Sequence, residues 1–199
     1  LTKDGNPNAG TTYNIGDSGP DNVDQRAVVD PSYLELVRLG IKRWDDPVVL
    51  NTVGVVDAQL GVGTPNGTFW HRYNFDGYGE QADGSPWDVG FPAGSQATIG
   101  RVWPIFAGER GEYELLASGS ASSRLQSIAN SGNEGYMLPE QVWDGNPPAG
   151  QPEGEGTFSA TPLAWTHAQF VRLAWSIQDG RPVEQPQIVA CRYTGNCPN

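Results

Sequence analysis

The sequence contains few of the residues that hold metal ions and redox groups. Its 199 residues include two cysteines, one methionine and two histidines. Cys191 and Cys197 do not form a CxxC pair, and His71 and His167 lack neighbours at the spacing of zinc ligands. A zinc site is therefore not expected.

Positive charge is also scarce. The chain has 12 lysines and arginines against 23 aspartates and glutamates, which gives a net charge of −11. Duplex nucleic acid binds clustered basic side chains that displace counterions, so this partner is excluded, and an anionic membrane surface is disfavoured for the same reason. No run of about 18 apolar residues is present, so the sequence predicts no membrane span. A neutral ligand such as a sugar fits this composition.

The short motifs of nucleotide sites and of serine hydrolases are missing as well: there is no GxGxxG, no P-loop and no GxSxG. The start, from Leu1 to Pro7, has neither an initiator methionine nor the pattern of a signal peptide, so we expect that the N-terminus results from a cut. Asp17, Asp21 and Asp24 could hold a structural calcium ion, although their spacing is not that of an EF-hand. We expect no other cofactor.

Glycine, proline and aromatic residues are plentiful. The 26 glycines and 16 prolines crowd three stretches and indicate long loops, in particular at 64–94 and 144–158. Between them, apolar residues at helical spacing predict helices at 33–41, 46–60, 95–118, 120–130 and 160–178. The valines of the second segment also permit a strand, and Pro104 and Gly108 should bend or interrupt the third helix.

The C-terminal residues are predicted to form a tail. Gly180 ends the last helix, and the prolines that follow favour an extended segment over 181–199, after a helical part over 1–180. Cys191 and Cys197 can close a short disulfide loop, with free thiols as the alternative. A disulfide would imply an oxidising compartment.

Two segments carry side chains suited to chemistry on sugars. The run from His71 to Glu80 mixes charged, amide and aromatic groups, which bind hydroxyls and pack on pyranose faces. The alternative is an ordered loop with an internal Arg–Asp ion pair. Glu140 lies between Pro139 and an apolar segment, where desolvation would raise its basicity. The alternative is a glutamate that caps a helix or pairs with an arginine.

Taken together, motifs spread over most of the chain resemble glycoside hydrolase family 15, in particular its bacterial glucoamylase and glucodextranase branch. The segments that carry the resemblance are Val29–Arg38, His71–Glu80, Gly100–Pro104, Gly108–Leu115, Pro139–Asp144 and Ala160–Trp165. The resemblance implies an all-α fold, the (α/α)6 barrel, with long loops and the active site at one end. This chain has helices for only the C-terminal half of such a barrel.

The resemblance also implies the roles of individual residues. Family members release glucose from the non-reducing ends of α-glucans with inversion, using two glutamates. Glu140 matches the general base, and Gln141 would help to position the attacking water. Arg72 and Tyr73 match a motif that binds glucose hydroxyls, and the residues matching other substrate contacts are Trp87, Leu163 and Trp165.

The general acid of the family has no match in this chain. We therefore expect an inverting exo-α-glucosidase, on α-1,6 or α-1,4 glucans, that is active only with an N-terminal portion supplying the acid. Since the N-terminus is expected to result from a cut, this portion is expected to be a second chain. A secreted location is expected. The alternatives are a non-catalytic carbohydrate-binding or interaction domain, and trehalose hydrolysis or glucosyl transfer on the same scaffold.

Overall fold

Helices form most of the regular structure. A computed structural model describes residues 5–81, 83–86, 95 and 98–197. Its helices are α1 (Leu34–Arg38), α2 (Pro47–Leu60), α3 (Pro104–Ser118), α4 (Ser122–Asn130), α5 (Ala164–Asp179) and α6 (Gln187–Thr194). Short strands form three antiparallel pairs: β1 (Thr12–Tyr13) with β2 (Val23–Asp24), β3 (Gly61–Thr64) with β4 (Gly67–Trp70), and β5 (Gly79–Gln81) with β6 (Thr98–Gly100). No helix in these ranges has the length and apolarity needed to cross a bilayer.

Two helix starts follow directly from the local sequence. The side chain of Asp46 accepts a hydrogen bond from the backbone N–H of Val48, and Pro47 occupies the first turn of α2, where a missing N–H has no consequence. Asp30 and Pro31 begin a 3-10 turn in the same way, and this turn runs into α1. Both predicted starts are confirmed, and the second segment is a helix rather than a strand.

The third predicted helix begins later than expected. Residues 98–100 are strand β6, and α3 starts only at Pro104, which lies in its first turn and does not interrupt it. The long loop predicted at 64–94 also contains strands β4 and β5. These strands are short, and β5 pairs with a segment some twenty residues away, so no local periodicity marks them.

Gly108 does not interrupt α3, and it lets α5 approach closely. A Cβ atom at this position would lie 2.2 Å from Cγ of Gln169, and Gln169 is buried. The predicted interruption at Gly108 is therefore wrong, because the glycine makes room for a neighbouring helix. The core lies around this contact and includes Val56, Leu60, Phe69, Val102, Leu115, Ile128 and Leu173.

Replacing Gly108 by alanine should destabilise the protein. Overpacking against Gln169 costs about 1–3 kcal/mol, which outweighs the gain of about 1 kcal/mol in helix propensity. Gly54 in α2 is a matched control, since a Cβ there meets nothing within 4 Å. Urea denaturation should show a lower free energy of unfolding for Gly108→Ala and a higher one for Gly54→Ala. Equal gains for both variants would contradict the close packing.

The C-terminal tail is not extended throughout. Residues Gln187–Thr194 form α6, and Ala190 on this helix is buried against Gly40, where a Cβ would lie 2.9 Å from the Cα of Ala190. The prolines at 182 and 186 precede the helix and do not prevent it, since Pro186 lies at its N-terminal boundary. The structure contains the disulfide between Cys191 and Cys197.

A buried charge network joins α1, α3 and α5. The carboxylate of Glu112 has no exposed surface and lies 3.2 Å from Nη2 of Arg172 on α5. Arg38 on α1 pairs with Glu35 and Glu184. Glu109 lies about one turn before Glu112 on α3, and burial raises its pKa to about 7, with a further increase from the charge of Glu35 that Arg172 opposes.

Ionisation of Glu109 is expected to destabilise the folded protein. Because its pKa is higher in the folded than in the unfolded state, the folded state binds more protons between about pH 4.5 and pH 7, and stability falls as pH rises through this window. Glu109→Gln should remove this loss, which amounts to at most about 3 kcal/mol at pH 8. Thermal denaturation from pH 4.5 to 8 measures it, with the exposed Glu134→Gln as control. Parallel curves for wild type and Glu109→Gln would contradict the expectation.

Candidate active site

A cavity of about 240 Å³ lies beside Glu140. Its walls come from three parts of the chain: the segment 78–80 with Pro86, the pair Glu140 and Gln141, and the segment 158–160. The backbone holds these parts together, since Glu140 N–H donates to the carbonyl of Ala160 at 2.9 Å and Val142 N–H donates to that of Val102 at 3.0 Å. The loop that carries Glu140 is thus fixed between two others.

Glu140 has the environment of a general base. Only 8% of the residue is exposed. Burial raises the pKa of its carboxyl, while a backbone hydrogen bond from Ala160 and the positive charge of Arg72 oppose the increase. A carboxylate of this kind is more basic than one in water, which suits it to proton abstraction. Burial and the charge of the same carboxylate raise the pKa of Tyr78, which shares the cavity.

Gln141 is fully buried, and its side-chain amide is engaged with the backbone. Nε2 donates to the carbonyl of Tyr78 at 2.8 Å, and Oε1 accepts from the N–H of Arg101 at 3.1 Å. The amide thus ties the Glu140 segment to residues 78 and 101, which flank β5 and β6. The role of Gln141 in positioning water stays a prediction.

Arg72 lies near Glu140 in an aromatic surrounding. Its Nε and Nη2 donate to the two oxygens of Asp76 at 2.8 and 2.7 Å, and the carboxylate of Asp76 is almost fully buried. The guanidinium carbon is 4.6 Å from the ring centroid of Tyr78 and 5.4 Å from that of Trp103. The internal Arg–Asp pair expected as an alternative is therefore present, and it holds the arginine in place.

Tyr73 belongs to a different cavity. It lines a cavity of about 550 Å³ together with residues 13–16 and parts of 25–32. Its hydroxyl accepts a hydrogen bond from Nη2 of Arg72 at 3.3 Å, and burial raises the pKa of that hydroxyl to about 12. Arg72 thus contacts one tyrosine from each cavity, Tyr73 and Tyr78.

The remaining predicted substrate contacts are not on the wall of the Glu140 cavity, as far as the described residues show. Leu163 is the N-cap of α5, and its N–H donates to the carbonyl of Leu138 at 2.9 Å. Trp165 follows in the first turn and is 64% exposed. Trp87 lies outside the described residues. The substrate contacts of these three residues remain predictions.

Sequence reasoning did not single out several residues of the cavity. Tyr78 and Glu80 are part of the motif at 71–80, so the sequence contained a signal for them. Phe158 had none: it lies in a glycine-rich loop, is 61% exposed and stands edge-on to Trp143, with ring centroids 5.5 Å apart. An exposed ring held at the edge of a cavity is suited to packing on a sugar.

The expected calcium ligands have other partners. Asp17 accepts a hydrogen bond from Arg72 at 3.2 Å, and Asp24 forms an ion pair with Arg26. In the part of the chain that the structure describes, no three His, Cys, Asp or Glu side chains gather as a metal site. The calcium site remains a prediction.

Comparison with known proteins agrees with this geometry. Residues 1–175 match the sequence profile of Glycosyl hydrolases family 15. A glucoamylase from Clostridium sp. (strain G0005) is 44% identical over 187 residues, which are 94% of this chain and 24% of the relative. The chain thus spans about a quarter of the length of this protein.

Solved structures show the fold. A bacterial glucoamylase, crystallised with acarbose, superposes with a TM-score of 0.82 at 42% identity, over 94% of this chain and 26% of that one. A glycosidase structure at 23% identity matches 85% of this chain and 41% of its own with a TM-score of 0.53, and it supports the fold alone. The predicted (α/α)6 architecture is confirmed as part of the bacterial glucoamylase barrel. On the profile match and the identity to these relatives, the chain belongs to glycosyl hydrolases family 15.

Proposed function

We propose that this chain is the part of an inverting exo-α-glucosidase that supplies the general base. The observation that carries the proposal is the carboxylate of Glu140, which is buried at a cavity large enough for a sugar ring, next to the charge of Arg72. A carboxylate whose basicity is raised by burial is suited to take a proton from water.

In the proposed reaction, Glu140 accepts a proton from a water molecule as this water attacks the anomeric carbon. A carboxylic acid from outside this chain protonates the leaving oxygen. The two carboxyl groups of an inverting enzyme are about 6.5–9.5 Å apart, which leaves room for the water. Arg72 would bind glucose hydroxyls, because its Nη1 has no partner among the hydrogen bonds of the described residues.

The partner that we propose is the remaining portion of the same catalytic domain. Helix α5 presents an apolar stripe to solvent, with Trp165, Val171 and Trp175 each more than half exposed. The four-residue spacing places Val171 and Trp175 on one face, and Trp165 lies about 80° around the helix from Trp175. An exposed apolar surface of this kind is normally covered by another element. The chain spans only 24–26% of the glucoamylases that it matches, so their architecture includes further segments to cover it.

The proposed substrate is an α-glucan or a short α-linked oligosaccharide. The names of two relatives, both glucoamylases, favour starch-type α-1,4 links over the dextran-type α-1,6 links. The disulfide between Cys191 and Cys197 supports a secreted location, since such bonds persist in oxidising compartments.

The stereochemistry of the product tests this function. The assembled enzyme, meaning this chain together with the segment that completes the barrel, is incubated with maltotriose and with isomaltotriose. Proton NMR at early times should show glucose released as the β-anomer, faster from the α-1,4 substrate. Initial α-glucose would overturn inversion. Sugar binding without any release would favour the alternative of a binding domain.

A further inference from the structure

Arg101 is the most completely bonded arginine near the cavity. Only 2% of the residue is exposed. Its guanidinium donates to the carboxylates of Glu80 and Asp144, the latter at 2.6 Å, and also to the carbonyl of Gly145 at 2.8 Å. The guanidinium carbon lies 5.3 Å from the ring centroid of Trp143. One side chain therefore joins β5 to the segment just after Glu140.

The backbone of Arg101 belongs to the same junction. Its N–H donates to Oε1 of Gln141, and the next residue, Val102, accepts from the N–H of Val142 at 3.0 Å. Residues 140–142 thus lie against residues 101–102 along the backbone, while the guanidinium holds residues 144–145. Arg101 and the residue that follows it thus hold the segment that carries Glu140 on one side.

Two carboxylates share the single guanidinium of Arg101 at this junction. Glu80 and Asp144 are both buried, and Asp144 also lies 3.3 Å from Nε2 of His71. Glu80 lines the same cavity as Glu140. Without Arg101, two buried carboxylates would lose their main counter-charge. Loss of one partner from a buried ion pair is strongly unfavourable, so the local structure would rearrange.

We infer that Arg101 is a positioning residue for catalysis: it holds the Glu140 segment against β5 and keeps the Glu80 carboxylate directed away from the general base. The inference rests on the proposed function, since it assigns Glu140 as the group to be placed. A mutated residue that does not touch the substrate can still shift a catalytic group by about 1 Å. Such a shift can lower the rate about 10²-fold.

Arg101→Met in the assembled enzyme tests this inference, with Arg110→Met as the matched control. Arg110 on α3 also has two carboxylate partners, Asp57 and Glu114, and also lies over aromatic rings, but it is absent from the cavity. At a temperature where both variants are folded, Arg101→Met should lower kcat about 10²-fold. KM should change less than about threefold, since uniform binding is kept. Arg110→Met should keep kcat within about twofold, because neither of its carboxylate partners belongs to the Glu140 segment or lines its cavity.

Hydrogen exchange provides a readout that does not depend on activity. In Arg101→Met, the amides of residues 140–143 should exchange faster, while those of α4 stay protected. If Arg101→Met does not fold, Arg101→Lys replaces it in the same measurements. Lysine keeps the positive charge but lacks the planar guanidinium that bonds to two carboxylates at once. Equal kcat for the variants at 101 and 110, or unchanged exchange at 140–143, would overturn the inference. A wild-type enzyme that releases no glucose would instead refute the proposed function.

Discussion

Replacing Glu140 by glutamine is expected to lower kcat for glucose release by about 10²–10⁴-fold, which is the usual contribution of a general base. The amide has nearly the shape of the carboxylate but cannot take a proton from water, so substrate binding should change little. Release of glucose from maltotriose by the assembled enzyme measures both quantities. Undiminished kcat would exclude Glu140 as the base.

The pH profile gives the same residue a second test. The general base must be ionised, so kcat/KM should fall as the pH drops through the pKa of Glu140, which burial raises above its ordinary value. This acid limb should disappear in Glu140→Gln. Glu155→Gln is the control: it removes an exposed carboxylate from the neighbouring loop and should leave the profile unchanged.

Chemical rescue separates loss of the base from loss of structure. In Glu140→Ala, azide can attack the anomeric carbon without prior deprotonation, and it should restore turnover with formation of a β-glucosyl azide. A variant that is merely misfolded would not respond to azide. The absence of rescue together with an intact thermal transition would contradict the role of Glu140.

Replacing Arg72 by methionine is the second change with a large expected effect. The carboxylate of Asp76, with 1% of its side chain exposed, would lose its bidentate partner. Breaking such a buried pair costs about 3–5 kcal/mol of stability. Thermal denaturation measures this loss. The double variant Arg72→Met/Asp76→Asn should recover part of it, because no uncompensated charge remains.

Catalysis should not recover in the double variant. A hydrogen bond from a charged group contributes about 1.5–3 kcal/mol, so the loss of Arg72 should lower kcat/KM about 10- to 100-fold in both variants. The acid limb of the profile should also move to higher pH, because Arg72 lowers the pKa of Glu140. Recovery of full activity along with stability would show that Arg72 supports the fold and does not bind sugar.

Several parts of the fold could be predicted from neighbouring residues alone. The start of α2 depends on Asp46 and Pro47, which act within one turn, and the path of α5 depends on its own apolar residues. The pairing of β5 with β6 could not be predicted, since it joins segments about twenty residues apart. Helix α6 was missed because prolines before a helix were taken to prevent it.

The candidate site likewise has residues that the sequence predicted and contacts that it could not predict. The sequence marked Glu140 and Arg72 through their local motifs and through a resemblance spread over the chain. It did not reveal that the amide of Gln141 bonds to the backbone of Tyr78 and Arg101. The partners of a polar side chain are set by distant segments, and neither of these residues is a sequence neighbour of Gln141.

By itself, the sequence determined the family, the helices before residue 180 and the carboxylate at position 140, because composition, capping residues and motifs act locally or add up along the chain. Only the tertiary structure decided that this carboxylate is buried beside Tyr78, and that Arg101 joins its segment to Glu80. Burial and ion pairing depend on which distant residues exclude water from a group. That exclusion exists only once the chain has folded.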